Sequence, residues 1–144
     1  DFGELNIGSV TIASQKVWVD LDTNSEGGGF VWVKDEFVGL KSTNVAYTIT
    51  SATANLASVN EGYGLQGNTK TQTSGGPLNF KSPYDGVSDN VGVIDTSFKL
   101  AFDTTGASIV AGRGSLFVKA KASNVTPSST DYTDTLTLIA AGSF

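Results

Sequence analysis

The densest group of residues able to bind a ligand is a polar stretch near the start of the chain. Oxygen-bearing side chains alternate there, at Asp20, Asp22, Asn24 and Glu26. A hard cation such as calcium prefers several carboxylate and carbonyl oxygens at close range, so the stretch is a candidate calcium site. It departs from the EF-hand pattern, because Ser25 stands where the sharp turn needs glycine and Val31 where the bidentate glutamate belongs. The alternative is a strand end that runs into a polar hairpin tip.

The sequence does not indicate catalytic chemistry. It contains no His and no Cys, which removes the commonest general base and the thiolate nucleophile. Paired carboxylates can hydrolyse a glycosidic bond when their pKa values differ, but the spacing does not select Asp95, Asp103 or Asp134 above the other acids. A serine nucleophile would need a lysine base, and no short Ser–Lys spacing stands out. We therefore predict that the protein is not an enzyme and has no catalytic residues.

Two further features concern surface chemistry. Exposed aromatic residues can stack on sugars, although aromatic residues in strands more often belong to the core. Tyr84, in the turn 82–86, is the best candidate for an exposed aromatic ring. Asn124 opens an Asn-Val-Thr triplet, which matches the acceptor for N-glycosylation.

Composition and charge favour an extracellular or cell-surface protein. The net charge is −5, and charged residues make up only 16% of the 144 residues. The basic residues are scattered, so the patch that a nucleic-acid partner requires is missing. No apolar stretch approaches the ~18 residues that span a bilayer. The chain also lacks Met, even at position 1, so we expect that a secretory signal peptide has been removed; a trimmed chain is the alternative.

Hydrophobic residues recur with a period of two, which predicts β-strands. Clear alternation covers 16–22, 30–34, 45–50, 91–102, 116–122 and 132–139, and the run 30–34 is apolar on both faces, as in a central strand. We predict one all-β domain over residues 1–144, an antiparallel Ig-like or Greek-key sandwich of seven to nine strands, with a jelly-roll variant as the alternative. The predicted core consists of Val19, Val31, Val33, Ile49, Phe98, Leu100, Leu116, Val118, Leu136 and Leu138.

Turn residues separate these runs. Glycine, proline and serine cluster at 26–29, 74–77, 82–86, 111–114 and 126–129, and these five clusters predict breaks between strands. The glycines beside Arg113 have a second interpretation, a β-bulge or a close approach of two strands.

The run Asp131-Tyr132-Thr133-Asp134-Thr135-Leu136-Thr137-Leu138 resembles the closing strand of spore-coat-U-like and related pilin-like β-sandwich proteins. The opening segment 2–8 is loosely similar to their first strand. The usual cysteines of that family are absent here. The resemblance implies an Ig-like sandwich on a bacterial surface, often as an appendage subunit.

The segment 1–13 leads to a functional hypothesis. Its apolar residues are too numerous for a tail in water, and their alternation breaks at Gly8-Ser9; they are Phe2, Leu5, Ile7, Val10 and Ile12. We predict that this segment is an exchangeable donor strand that joins copies of the chain into a filament, pilus or surface layer by β-strand addition. The segment Leu136 to Phe144 is the second candidate donor. The alternative function is a monomeric carbohydrate-binding or adhesive module, whose partner would be a polysaccharide or a host surface.

Overall fold

The chain folds into strands and turns. The computed structural model describes residues 1–143 and contains no helix within them. In chain order the strands are β1 (Val10–Ile12), β2 (Val17–Thr23), β3 (Gly29–Lys34), β4 (Gly39–Ser42), β5 (Tyr47–Thr50), β6 (Ala54–Asn55), β7 (Gly62–Thr71), β8 (Ser74–Gly75), β9 (Asn79–Phe80), β10 (Asn90–Val91), β11 (Lys99–Asp103), β12 (Ile109–Lys121) and β13 (Thr137–Gly142). Of these thirteen, eight have four or more residues, which matches the predicted seven to nine; the other five are shorter pieces. The all-β fold class is confirmed.

The longest strand, β12, forms the centre of the first sheet. One edge of β12 pairs with β2 and then with β1, and the opposite edge pairs with β7 and β8, all antiparallel. On its inner face Leu116, Val118 and Ala120 are buried. Because β12 is covered along both edges, its main-chain groups are used within the sheet.

The outer face of β12 is also covered at its last residues, whereas Val110 and Arg113 nearer its start are exposed. Lys119 and Lys121 alternate with the core residues, yet they are only 3% and 7% exposed. The Lys121 ammonium donates hydrogen bonds to the carbonyl oxygens of Ala57 (3.2 Å) and Val59 (2.8 Å), and the Lys119 ammonium donates to the carbonyl of Ser88. The loops around β6 and β10 therefore form a third layer, in which carbonyl oxygens satisfy the buried ammonium groups.

The second sheet has the strand order β13-β3-β11-β9 and faces the first. Val31 and Val33 of β3 are buried in the core, whereas Phe30 and Trp32 lie on the outer face with their ring centroids 5.5 Å apart. The prediction of a central strand with two apolar faces is therefore confirmed. Two smaller sheets, β4–β5 and β6–β10, complete the described pairings.

A glycine in β12 lets the two sheets approach closely. A Cβ atom on Gly114 would lie 2.4 Å from a ring carbon of Phe102 in the opposite sheet. The predicted break at 111–114 is wrong, because these residues lie inside β12. The second interpretation is confirmed, since the register of β12 against β2 shifts between Ile109 and Gly112 as in a bulge.

Most of the predicted core is correct. Five of its members are buried: Val31, Val33, Ile49, Leu116 and Val118. Four others are half-buried at the margin: Val19, Leu100, Leu136 and Leu138. Phe98 is the exception, because its side chain is 44% exposed.

The error at Phe98 follows from a strand that was predicted too long. The run 91–102 is interrupted, because the Ser97 amide donates a hydrogen bond to Oδ1 of Asp95 (2.8 Å) and turns the chain. Strand β11 begins only at Lys99. Phe98 is left at the surface, with the Lys34 ammonium 5.3 Å from its ring centroid.

The closing strand also differs from the prediction. Strand β13 begins at Thr137, whereas the alternating run begins at 132. Residues 131–136 are irregular and are attached to β4 by two main-chain hydrogen bonds of 2.9 Å between Lys41 and Thr133. Phe144, the last residue of the second candidate donor, lies outside the described residues.

Candidate functional site

Residues 1–13, which we call the exchange segment, cover one open side of the sandwich. The segment is attached to β12 through β1 and through hydrogen bonds from Gly8 N to Ala122 O (3.0 Å) and from Ala13 N to Val118 O (2.9 Å). Residues 1–7 have few main-chain bonds to the rest of the fold: Ser14 N donates to the carbonyl of Asp1 (2.8 Å). This first half is therefore held chiefly by its side chains.

The exchange segment lies over an open groove of about 1060 Å³. Its floor includes Leu40, Tyr63 and Val118, and its far wall is formed by residues 126–130 together with Tyr132, Thr133, Asp134 and Leu136. Protein interiors are packed to near-crystalline density, with few voids larger than a water molecule. The groove is thus not filled by the segment that covers it.

The five predicted donor residues do not share one face. Phe2 and Leu5 pack against the core. Val10 and Ile12 stand opposite Lys121 and Lys119 in the β1–β12 pairing, which places them on the outer face of the first sheet. Ile7, between the two groups, is 65% exposed. The change of face occurs at Gly8, whose φ of 78° suits glycine.

The far wall of the groove is attached to the β4–β5 hairpin by Asp131. Its carboxylate accepts hydrogen bonds from the amides of Thr43 (2.9 Å) and Asn44 (3.0 Å), and from the hydroxyls of Ser42 and Ser129. The hydroxyls of Ser129 and Ser42 and the Asn44 amide hold the pKa of Asp131 well below its usual range.

The floor of the groove contains a tyrosine–carboxylate pair. The ring of Phe2 contacts that of Tyr63 edge-on, with the centroids 6.4 Å apart. The Tyr63 hydroxyl donates a 2.9 Å hydrogen bond to Oδ2 of Asp134. Burial raises the pKa of Tyr63 far above its usual value, and the charge of Asp134 adds to this rise. Burial also raises the pKa of Asp134, although the hydrogen bond from Tyr63 opposes the change.

Sequence reasoning missed Asp35, which is 1% exposed. It follows β3 directly, and the alternation that buries Val31 and Val33 also turns position 35 inward, so the signal was present. Oδ1 of Asp35 accepts a hydrogen bond from Val38 N (3.1 Å), whereas Oδ2 is buried without a hydrogen-bond partner within the described residues. Burial raises the pKa of Asp35, and the nearby charge of Asp134 raises it further.

The four candidate calcium ligands lie at the surface. Asp20 and Asp22 project from the outer face of β2, where Asp20 pairs with Arg113 (3.2 Å) and Asp22 accepts a hydrogen bond from Ala111 N (3.1 Å). Asn24 and Glu26 are exposed in the following turn. Across residues 1–143 the structure contains no cluster of three or more acidic side chains arranged to hold a metal. Calcium binding at these four residues stays a prediction.

The two surface predictions, an exposed ring at Tyr84 and glycosylation at Asn124, have different outcomes. Tyr84 is fully buried and donates a 2.7 Å hydrogen bond to the carbonyl of Val93, so the prediction that it is exposed is wrong. Asn124 is exposed in a turn, and its glycosylation stays a prediction. Trp18 is 51% exposed, and the Arg113 guanidinium lies 4.9 Å from its ring centroid.

Comparisons with protein-family models, curated proteins and solved structures find no match to this chain. Within the described residues there is no helix with the length and apolar character needed to cross a membrane. The functional argument therefore depends on the geometry of the groove and of the sheet edges.

Proposed function

We propose that this protein is a structural subunit of an extracellular filament, pilus or surface layer, and that copies join by exchange of residues 1–13. In the assembly, the segment of one copy occupies the groove of the next. Each subunit then has a donor and an acceptor, so the contact is head-to-tail and produces an open fibre. The role is structural and not catalytic, and the partners are copies of the same chain.

One observation carries the proposal: residues 1–7 cover the groove mainly through Phe2 and Leu5, with few main-chain bonds. When the segment moves from its own groove to that of a neighbouring copy, it makes the same contacts there. The net free-energy change of the exchange is therefore small. Phe2 and Leu5 are partly buried, so each contributes less than the about 1.5–3 kcal/mol of a fully buried Leu or Phe side chain, and the two serve as anchors in either arrangement. The unfilled space in the groove leaves room for the segment to adopt a straighter path in a neighbour.

An open sheet edge is consistent with self-assembly. Strand β13 pairs with β3 on one side and is the last strand of its sheet. It has no charged residue and no proline, and Ile139 is 45% exposed. Natural proteins usually protect such edges with charges, prolines or bulges, because unpaired edges associate.

Deletion of residues 1–13 tests the proposal. We expect the intact chain to form long particles in negative-stain electron microscopy and the deletion variant to remain a small species in size-exclusion chromatography. A synthetic peptide of residues 1–13 should bind the deletion variant and should also shorten the polymers of the intact chain by capping them.

A matched pair of variants separates the anchors from the rest of the segment. Leu5→Ser removes a half-buried anchor from the covered monomer and from the polymer alike, so it should speed the exchange of subunits between polymers, whereas Ile7→Ser should leave that rate nearly unchanged because Ile7 is 65% exposed. Assembly that is unaffected by the deletion, or an intact chain that stays monomeric at high concentration, would show that the proposal is wrong.

A second candidate function is carbohydrate binding, which one observation favours. The exposed ring of Trp18 lies near a shallow hollow of about 380 Å³, whose lining includes Asp20, Asp22 and Arg113. An aromatic ring flanked by polar groups is suited to a sugar ring. If this candidate is correct, chitohexaose or cellohexaose should change the fluorescence of Trp18, the Trp18→Ala variant should lose the response, and the intact chain should elute as a monomer.

A further inference from the structure

Strand β13 leaves one edge of the second sheet unpaired. It pairs with β3 on one side and is the terminal strand in the order β13-β3-β11-β9. Its residues, Thr137–Gly142, include no charge and no proline, and no register shift interrupts their pairing with β3. An edge of this kind presents a row of main-chain donors and acceptors to any strand that can lie beside it.

Other sheet edges in this fold are protected. At the opposite edge of the same sheet, β9 has two residues, and Lys81 beside it forms an ion pair with Asp103 at 2.9 Å. In the first sheet, β2 carries the exposed Asp20, and loops occupy the far edge of β7, where Leu65 and Gly92 exchange two main-chain hydrogen bonds (3.1 and 2.7 Å). Short length, charges and covering loops are the usual protection against association. Strand β13 has none of these.

The hydrogen-bond pattern identifies the main-chain groups of β13 that point outward. Ser143 N donates to Gly28 O (2.9 Å), so Ser143 bonds towards the β3 side. In an antiparallel ladder successive residues alternate between the two sides. The odd-numbered residues of β13 therefore bond to β3, whereas the even-numbered ones, Leu138, Ala140 and Gly142, direct their N–H and C=O groups to the open side. Within residues 1–143, no main-chain hydrogen bond outside the ladder uses these outward groups.

The three outward residues allow the strand to pair with a copy of itself. If Ala140 faces Ala140 of a second copy in antiparallel orientation, Leu138 of each copy faces Gly142 of the other. Each of these facing pairs exchanges both of its N–H···O bonds, so every outward group of the strand is satisfied. A shift of two residues in either direction leaves one outward residue without a partner in the strand. The edge is thus self-complementary in one register.

Side-chain sizes fit the same register. On one face of the pair Leu138 lies opposite Gly142 and Ala140 lies opposite its own copy; on the other face Ile139 lies opposite Ala141. Each large side chain therefore meets a small one, and no like charges face each other across the pair.

The distribution of charge also favours contact at this edge. Each copy has a net charge of −5, so two copies repel except where neither presents carboxylates. Strand β13 has no carboxylate. The charged residue paired with it on β3, Lys34, places its ammonium 5.3 Å from the ring centroid of Phe98, on the side of β11.

We propose that β13 is the docking edge for a second copy of this chain, with the two β13 strands antiparallel about a two-fold axis at Ala140. The four-stranded sheets of both copies then form one continuous sheet. Such a contact uses the same surface on both copies, so it closes a dimer and does not by itself produce a fibre. It goes beyond the proposed function, because it is a lateral contact that does not involve the groove.

The size of the contact sets its strength. A stable interface buries about 1,600 Å² in total, and a single strand pair buries less. We therefore expect a reversible dimer whose population rises with protein concentration.

Cysteine cross-linking of the full chain tests the contact, because the sequence contains no Cys. Residues that face each other in a hydrogen-bonded antiparallel pair have Cα atoms about 5.5 Å apart, within the range of a disulfide bond. Ala140 is exposed, so Ala140→Cys should give a disulfide-linked dimer when the two thiols are oxidised with diamide. Non-reducing electrophoresis measures the rate at which this dimer appears.

Ala141→Cys and Ile139→Cys are the matched controls. In the proposed register each of these positions faces the other one, so the two thiols of either variant lie on a diagonal with Cα atoms about 7–8 Å apart, too far for a disulfide without backbone movement. We expect Ala140→Cys to cross-link about tenfold faster than either control. No dimer from Ala140→Cys, or equal rates in the three variants, would overturn the proposal.

Amide hydrogen exchange of the parent chain gives a second measurement that needs no substitution. The outward amides of Leu138, Ala140 and Gly142 should gain protection as the protein concentration rises. The amides of Ile139 and Ala141 bond to β3 in either state and serve as the internal reference. Exchange at the outward amides that does not change with concentration would contradict the contact.

The outcome is separable from that of the proposed function. Fast cross-linking of Ala140→Cys in a chain that forms no filaments would support the two-fold contact and contradict the filament. Filaments that form while Ala140→Cys cross-links no faster than its controls would support the filament and contradict the two-fold contact.

Discussion

Strand β12 and the exchange segment are neighbours in the same sheet but differ in how they are held. Strand β12 is paired along both edges, and its C-terminal half is covered on both faces, so that even Lys119 and Lys121 are buried. Residues 1–7 have few main-chain bonds, cover a groove that they do not fill, and leave Ile7 exposed. We therefore expect β12 and its paired strands to contribute most to the free energy of unfolding, whereas residues 1–7 are weakly attached.

This difference is consistent with the proposed exchange, in which the covering segment comes from a neighbouring copy. Regions with few buried apolar contacts open at lower free energy than the core, and functional motions come from such regions. A chain that keeps a stable centre and a weakly attached cover can exchange that cover without unfolding. The comparison can be tested by substitutions in each region, beginning with the core.

The largest effect is expected at Phe102, which is fully buried and packs against Gly114 and Phe80. Phe102→Ala should lower the free energy of unfolding by about 3–5 kcal/mol, because it removes buried apolar surface and leaves a cavity. Phe98→Ala, at a ring that is 44% exposed, should cost less than about 1 kcal/mol. Urea denaturation of both variants measures the difference, and equal losses would contradict the assigned burial.

These two phenylalanines also show what the sequence could predict. The period-two pattern of hydrophobic residues correctly predicted β2, β3 and the C-terminal half of β12. Each of these is a regular strand in which every second side chain faces the core. The pattern failed at Phe98, where an Asp95 side chain caps a turn that periodicity does not register. Alternation also gives no sign that Lys119 and Lys121 are buried, because the layer that covers them comes from loops distant in sequence.

For the groove, the sequence identified the segment that covers it but not the tyrosine–carboxylate pair in its floor. Phe2 and Leu5 stood out as apolar residues beside a glycine break. Asp134 could not be distinguished from other acids, because its hydrogen-bond partner, Tyr63, comes from β7, which is distant in the sequence. Apart from the β4–β5 hairpin, the described strand pairs join segments that are far apart in the chain, so local patterns do not reveal such neighbours.

The next largest effect should come from the covered outer face of β12. Lys121→Met keeps most of the side-chain volume but leaves the carbonyls of Ala57 and Val59 without their ammonium donor. We expect a loss of about 1–3 kcal/mol, the usual cost of an unpaired buried polar group. Lys16→Met, at an exposed lysine, is the control and should change stability by less than about 0.5 kcal/mol. Thermal unfolding of the two variants gives the comparison.

A smaller, pH-dependent effect is expected at Asp131, which attaches the far wall of the groove to the β4–β5 hairpin. Its pKa is lowered in the folded state, so its stabilising effect is present above the unfolded pKa of about 3.9 and is lost as the pH falls below it. Asp131→Asn should lower the melting temperature at pH 7, and the difference from the parent should shrink below about pH 4. A difference that is constant from pH 7 to pH 2 would show that ionised Asp131 is not what holds the wall.

The smallest effect on stability should come from the open edge of β13. Ile139→Lys places a charge on a side chain that is already 45% exposed, so the free energy of unfolding should change by less than about 0.5 kcal/mol. A lysine on an edge strand opposes pairing with another edge, because a neighbouring copy would have to bury the charge. If the protein forms filaments as proposed, their lateral bundling should therefore decrease, whereas end-to-end growth through the groove should continue. Light scattering and negative-stain microscopy separate the two: thinner filaments of unchanged length are expected, and loss of all filaments would mean that β13, not the exchange segment, joins the subunits.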